Sequence, residues 1–200
     1  MELTGKKNHR HITSFQVIIL GFFSVILIGG LLLTLPVATQ DGQGASFADG
    51  IFTATSAVCV TGLVVHDTAT YWSMFGQAVI LLLIQIGGMG VVTVAVAIAA
   101  VAGRKIGLMQ RSVMQEAISA HQVGGIVRMT KFILKTSMAI ELVGAVLLSL
   151  VFCKDFGMAK GLWYGLFHSV SAFCNAGFDL MGEETPFSSL TAYTGDPLAC

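Results

Sequence analysis

The stretch from Gly50 to Gly62, GIFTATSAVCVTG, returns without a gap 115 residues later as GLFHSVSAFCNAG, from Gly165 to Gly177. Gly50, Phe52, Ser56, Ala57, Cys59 and Gly62 are matched by Gly165, Phe167, Ser171, Ala172, Cys174 and Gly177. Average composition supplies roughly one identity in such a window. A chain that carries the same segment twice is built from two copies of one unit. In each copy an apolar helix of about a dozen residues runs into a short segment that closes on glycine.

The surroundings of both copies are apolar. Hydrophobic residues make up 54% of the chain and charged residues 11%, and the charges fall between long uncharged runs. Phe15 to Leu35 has no charge, and about 20 such residues cross a hydrocarbon core as a helix. Trp72 to Ala102 forms a second span. Phe132 to Phe152 forms a third, interrupted by Lys135 near one end and Glu141 near the middle. The expectation is an all-α polytopic membrane protein. The first run is longer than the apolar core of a signal peptide, and Pro36 spoils the nearest cleavage site, so it reads as a retained span.

The net charge of zero averages two faces of opposite sign. Basic residues gather in the N-terminal tail (Lys6, Lys7, Arg10) and between Arg104 and Lys135, which places both on the cytoplasmic side. The intervening segments carry Asp41, Asp49, Asp67, Asp155, Asp179, Glu183, Glu184 and Asp196 against Lys154 and Lys160. Those segments lie outside.

Phe47 to Val58 and Gly161 to Phe173 are too short to cross a bilayer. They read as re-entrant pore helices. The irregular backbone behind each is tolerable at membrane depth only where protein or a water-filled path satisfies its polar groups. One such segment alone would read as an amphipathic surface helix; two homologous copies argue for a pore. Backbone carbonyls of Cys59, Val60, Thr61, Cys174, Asn175 and Ala176 can then replace the hydration shell of a cation, with Gly62 and Gly177 supplying dihedrals that other residues resist. Asp67 and Asp179, a few residues beyond, either raise the local cation concentration or are solvated loop acids.

The second span holds its own signal in Gly87, Gly88 and Gly90, which serve either close helix packing or a gate-like hinge. A continuous helix of its length would measure about 46 Å against a core of about 30 Å. Glu141, near mid-span, needs a partner or a proton. Gln85 reads as an interhelical hydrogen bonder and His168 as a brace behind the second filter. Cys59 and Cys174 read as small buried thiols. The connector carries Met109, Val113, Ala117 and Ala120 at helical spacing, which predicts a surface helix from Met109 to Val123.

Three separated motifs, FTATSAVCVTGLV from Phe52 to Val64, QIGGMG from Gln85 to Gly90 and HSVSAFCNAGFDLMG from His168 to Gly182, resemble the Trk/Ktr/HKT potassium transporter superfamily, most closely the KtrB-type potassium-translocating subunit. The resemblance covers nearly the whole chain. It implies four repeats of helix, pore loop and helix around one potassium pathway, each with one filter glycine, Gly62 and Gly177 being the first two. It implies potassium uptake, with sodium as a candidate co-ion, in a bacterial plasma membrane with the N-terminus cytoplasmic. It also implies a homodimer on a cytosolic RCK-type nucleotide-binding ring.

On this reading residues 1–103 form the first repeat: outer helix 15–35, pore helix and filter 47–64, inner helix 72–102. Residues 104–128 connect it to the second, 129–200, which lacks its inner helix. The chain is expected to be a truncated piece of a longer transporter. No catalytic constellation, cofactor motif or nucleic-acid signature accompanies these features, so an enzyme is not expected and lipid is the one general partner. Two other readings stay open. A tetrameric two-helix cation channel would carry identical filters, unlike CVTG and CNAG here. A non-transporting scaffold or fragment would not need filter glycines.

Overall fold

The computed structural model describes residues 13–91, 93–94, 113, 115–116, 126–183 and 185–195. Among the described residues these α-helices follow one another: α1 (Ser14–Leu33), α2 (Phe47–Val58), α3 (Thr68–Tyr71), α4 (Met74–Met89), α5 (Ile126–Phe156) and α6 (Met158–Phe173). Short 3₁₀ turns occupy Pro36–Ala38 and Ser189–Tyr193. No strand occurs among the described residues beyond a single bridge between Thr39 and Trp72.

Hydroxyl and carboxylate caps start the helices where the chain turns back into the apolar layer. Thr13 and Gln16 cap α1 reciprocally, and Ser46, Asp67 and Ser73 cap α2, α3 and α4 through their side-chain oxygens. Pro36 explains where α1 stops, because the residue before a proline avoids helical dihedrals. Its counterpart 115 residues on is Val151, and there α5 runs through to Phe156. Both copies then turn at matched glycines with positive φ, Gly42 at 70° and Gly157 at 78°.

Each repeat packs an outer helix on a pore helix, α1 on α2 and α5 on α6. The register is the same in both. A Cβ built on Gly50 would stand 2.8 Å from the Gly30 carbonyl oxygen, and one on Gly165 would stand 2.8 Å from that of Ala145. These two contacts differ by 115 at both ends, so the duplication legible in the pore segment extends into the outer helices.

Helix α4 completes the first repeat and packs against α1, α2 and α6. Its contacts with both pore helices surround a core in which Ile80, Ile84, Leu33, Trp72, Phe152, Phe167 and Leu180 are fully buried. Of the inner helix expected from 72 to 102, the described part is α4, with Val91, Thr93 and Val94 helical again beyond Gly90. Trp72 and Ser73 precede α4, and Gly90 ends it with φ +81°, a conformation that leaves the helical region. At 16 residues α4 measures about 24 Å, short of a hydrocarbon core of about 30 Å.

Among the described residues two helices are by themselves long and apolar enough to cross, Phe15–Leu33 and Arg128–Phe156, and Met74–Met89 is a shorter apolar helix. Residues 95–102 lie outside the described residues, as does most of the Met109 to Val123 helix, of which Val113, Gln115 and Glu116 are helical. Helix α5 begins at Ile126, inside the segment expected as the connector. Phe15, Ile19, Leu20, Phe23, Ile28 and Leu31 of α1 and Phe132, Met138, Leu142, Val143, Val146 and Leu150 of α5 are exposed. Apolar faces of this extent are covered by lipid in a chain of this class.

Candidate ion-filter site

The two filter loops share one backbone. In the first, Val60 N–H donates to Ala57 O (3.3 Å) and Thr61 N–H to Ser56 O (2.9 Å). In the second, Asn175 N–H donates to Ala172 O (3.0 Å) and Ala176 N–H to Ser171 O (2.7 Å). This paired bonding ends each pore helix in a Schellman turn, satisfying its last carbonyls internally. The turn needs a left-handed residue after the cap, and Val60 and Asn175 both occupy that region at φ 57°. For β-branched Val60 this is an outlier of the kind that persists where surrounding structure over-determines it.

Gly62 (φ 70°) and Gly177 (φ 73°) follow, and they meet. A Cβ on Gly62 would stand 2.6 Å from Ala176 O and 3.2 Å from Gly177 Cα, and one on Gly177 would stand 3.4 Å from Gly62 Cα. Among the described residues no hydrogen bond ends on the carbonyls of Val60, Thr61, Gly62, Asn175, Ala176 or Gly177. The negative ends of two helix dipoles arrive at the same place. Adjoining uncommitted carbonyls at the ends of two helices make an electronegative spot suited to a dehydrated cation.

Helix α4 wedges between the loops through its glycine pair. A Cβ on Gly87 would run into the Val58 carbonyl and lie 2.9 Å from Val58 Cα, while one on Gly88 would lie 2.5 Å from Cys174 Sγ and 2.8 Å from its Cβ. Neighbouring residues on one helix thus touch the end of the first pore helix and the start of the second loop in turn. Both glycines are required by close approach.

Residues 3–194 match the family model described as TrkH, a cation transport protein. The chain belongs to the TrkH family. It is 45% identical over 183 residues to the potassium/sodium uptake protein NtpJ of Enterococcus hirae, covering 92% of this chain and 41% of that protein. It is 45% identical over 182 residues to the Ktr system potassium uptake protein B of Bacillus subtilis, covering 91% and 39%. The protein of the same name from Vibrio alginolyticus is 36% identical over 194 residues, covering 97% and 41%. The chain therefore spans about two fifths of the length of these relatives. They are transporters of a membrane family, and the helical, apolar-faced architecture here accords with that class.

Behind the second filter of this TrkH-family chain, His168 is buried with Nδ1 2.8 Å from Tyr164 O and Nε2 accepting from Leu180 N–H at 3.2 Å. Nε2 accepts, so Nδ1 carries the proton and the ring is neutral. Serines at matched positions serve the two loops differently. Ser171 Oγ donates to Phe178 O (2.6 Å), whereas Ser56 Oγ accepts from the Thr61 hydroxyl (3.0 Å), a donor that Ala176 lacks.

The acidic residues beyond the glycines are unequal. Asp67 is buried and accepts from Ala69 N–H, Thr70 N–H, the Thr70 hydroxyl and Phe187 N–H, so it ties the outer loop of one repeat to that of the other. It is neither a solvated acid nor a free carboxylate at the mouth. Asp179 is half-buried with one oxygen accepting from Met181 N–H at 3.0 Å. Burial pushes its carboxyl above the usual range, the Met181 bond opposes this, and the charge of Asp67 reinforces it.

Cys59 is exposed, contrary to the buried-thiol expectation, while Cys174 is half-buried because Gly88 leans on it. Both, with Cys153, are free thiols. Glu141 and Gln85 find each other: the amide nitrogen donates to both carboxyl oxygens at 2.9 and 2.8 Å. The reading from sequence missed Gln77, whose Oε1 accepts from Trp163 Nε1 at 2.8 Å and whose Nε2 donates to Trp72 O at 3.1 Å. Its one signal was a polar residue in the first turns of an apolar run.

Proposed function

We propose that this chain supplies two quarters of a potassium-conducting pore and that the native-length protein takes up potassium across a bacterial plasma membrane. The observation that carries the reading is the reciprocal approach of Gly62 and Gly177 at the ends of two identically turned pore helices. A scaffold gains nothing from a left-handed valine and two apposed glycines. A cation site needs that backbone, because it brings carbonyls together without side chains between them.

Cys59, Val60, Thr61 and Gly62, with Cys174, Asn175, Ala176 and Gly177, form the filter segments contributed here. Two further repeats close the ring. Exposure of Cys59 fits this arrangement: its counterpart Cys174 is covered by the inner helix of the preceding repeat, and the equivalent helix for Cys59 belongs to a repeat that this chain does not contain. Sodium is the second candidate ion, and the printed name of the Enterococcus hirae relative joins the two.

The membrane orientation follows the basic residues. Arg128, Lys131 and Lys135 line one cavity with Phe132 at the start of α5, which supports a cytoplasmic position for that end, and the basic N-terminal tail goes to the same side. The same side receives a cytosolic partner, an RCK-type nucleotide-binding ring shared by two copies of the pore protein. The relatives named as parts of a Ktr system support a multi-subunit assembly.

The test is rubidium or potassium uptake by the native-length protein in proteoliposomes, with sodium as competitor. Uptake saturating with potassium and weakly displaced by sodium supports the reading. Flux without preference between the two ions would refute a carbonyl filter of this kind.

A further inference from the structure

Glu141 lies in the middle of α5 and is 6% exposed. No cation among the described residues reaches its carboxyl; the ion pairs there are His66 with Asp49 and Lys160 with Glu183. Its side-chain donor is the Gln85 amide, which approaches both oxygens through one nitrogen. The other half of that amide, Gln85 Oε1, is buried and has no hydrogen-bond partner. An ionised carboxyl accepts and cannot donate. Read as an anion, Glu141 therefore leaves two costs in place: a charge in the apolar layer, and an amide oxygen without a donor.

One proton removes both. We propose that Glu141 carries a proton and closes a ring of two hydrogen bonds with Gln85, making the pair a neutral clamp that positions the inner helix α4 between the filter loops. In the ring the carboxyl O–H donates to Gln85 Oε1, and Gln85 Nε2–H donates to the other carboxyl oxygen. A rotation of the amide about its last torsion, which is broad for this bond type, brings its oxygen round. Every polar atom of both side chains then has a partner.

What the clamp holds follows from its neighbours. Gln85 precedes Gly87 and Gly88, the residues that abut Val58 at the end of the first pore helix and Cys174 of the second filter segment. On the other side, Ser169 of pore helix α6 donates its hydroxyl to the Glu141 backbone carbonyl at 2.7 Å, and Gly144 leaves room for that hydroxyl. The chain of contacts runs from the inner helix of one repeat through the outer helix of the next to the second pore helix. Gln85 and Glu141 do not touch the ion path at the filter. They are positioning residues that act through α4. Cys174 is an ionisable group facing Glu141 from a neighbouring element.

The protonation stands on the hydrogen-bond inventory; the consequence for the filter rests on the transport reading above. Infrared spectra of the native-length protein in lipid separate the two. Wild type minus Glu141→Gln at neutral pH is expected to show one protonated-carboxyl band, and that band should shift in Gln85→Leu, which removes its partner. A carboxylate band in its place, or no band lost on substitution, overturns the clamp. In uptake assays Glu141→Gln, which keeps a donor and an acceptor, is expected to retain the wild-type preference for potassium over sodium. Gln85→Leu should reduce that preference about tenfold or more, as sub-ångström positioning is lost. An unchanged preference in Gln85→Leu overturns the positioning role. Should wild type itself carry no potassium, the transport reading falls and the infrared result alone decides the proton.

Discussion

Gly62 and Gly177, 115 residues apart, stand so close that a methyl group on either would press on the α-carbon of the other, at 3.2 and 3.4 Å. The contact is reciprocal because the two loops are copies. Each is held by the same pair of backbone bonds behind a pore helix, and each reaches its glycine through a left-handed residue. In the proposed four-repeat pore, this contact is the one by which adjacent quarters would meet.

The wedge of α4 makes a prediction about partial rescue. Gly88→Ala places a methyl 2.5 Å from Cys174 Sγ, and crowding of this kind costs typically about 1–3 kcal/mol. Uptake should fall. Adding Cys174→Ala removes the sulfur and should recover part of it, whereas Gly87→Ala collides with the Val58 backbone and should not be recovered by any side-chain change. A double-mutant cycle on uptake and thermal stability reads the coupling; strict additivity of Gly88→Ala and Cys174→Ala would show that the contact does not matter.

His168→Leu strands the Leu180 N–H behind the second filter. A buried donor left unsatisfied costs about 1–3 kcal/mol. The variant should unfold at lower temperature than wild type in detergent, and a second change that restores an acceptor, His168→Gln, should recover part of the loss. Equal melting temperatures for wild type and His168→Leu would rule out the brace.

Asp179 gives a pH dependence whose sign can be worked out. Burial raises its carboxyl, so between the unfolded value of 3.8 and the higher folded value the native state holds a proton that the unfolded state has released. Stability from this group therefore grows as pH falls through the folded value, opposite to a salt-bridged acid. Cation attraction at the outer mouth moves the other way, since protonation removes the charge. Mild acidification should weaken apparent potassium affinity at a pH where an exposed carboxylate would still be ionised, and Asp179→Asn should abolish that step. A step unchanged in Asp179→Asn would assign it elsewhere.

Much of this was legible in the sequence because it rests on local pattern. The gapless repeat set the register of pore helix, turn and glycine, and the long apolar runs marked α1 and α5 as membrane spans. Gly87, Gly88 and Gly90 were read as serving either close packing or a hinge, and neither the left-handed φ of Gly90 nor the end of α4 at Met89 was foreseen. What could not be read depends on contacts between distant residues. Glu141 was recognised as needing a partner, but nothing local joins it to Gln85, 56 residues earlier. Asp67 looked like a surface acid because its closing bond comes from Phe187, 120 residues away. Cys59 and Cys174 look alike in sequence and differ in exposure because one has an inner helix against it and the other does not.

The most direct measurement is competition between potassium and sodium for rubidium uptake by the native-length protein, wild type against Gly62→Ala, in proteoliposomes. At φ 70°, with Ala176 O 2.6 Å from the added methyl, alanine forces both loops to shift. Gly62→Ala is expected to lose about tenfold or more of the potassium preference, the order by which ångström misplacement degrades positioned chemistry. A variant that keeps the wild-type preference would contradict the claim that these two glycines shape an ion filter.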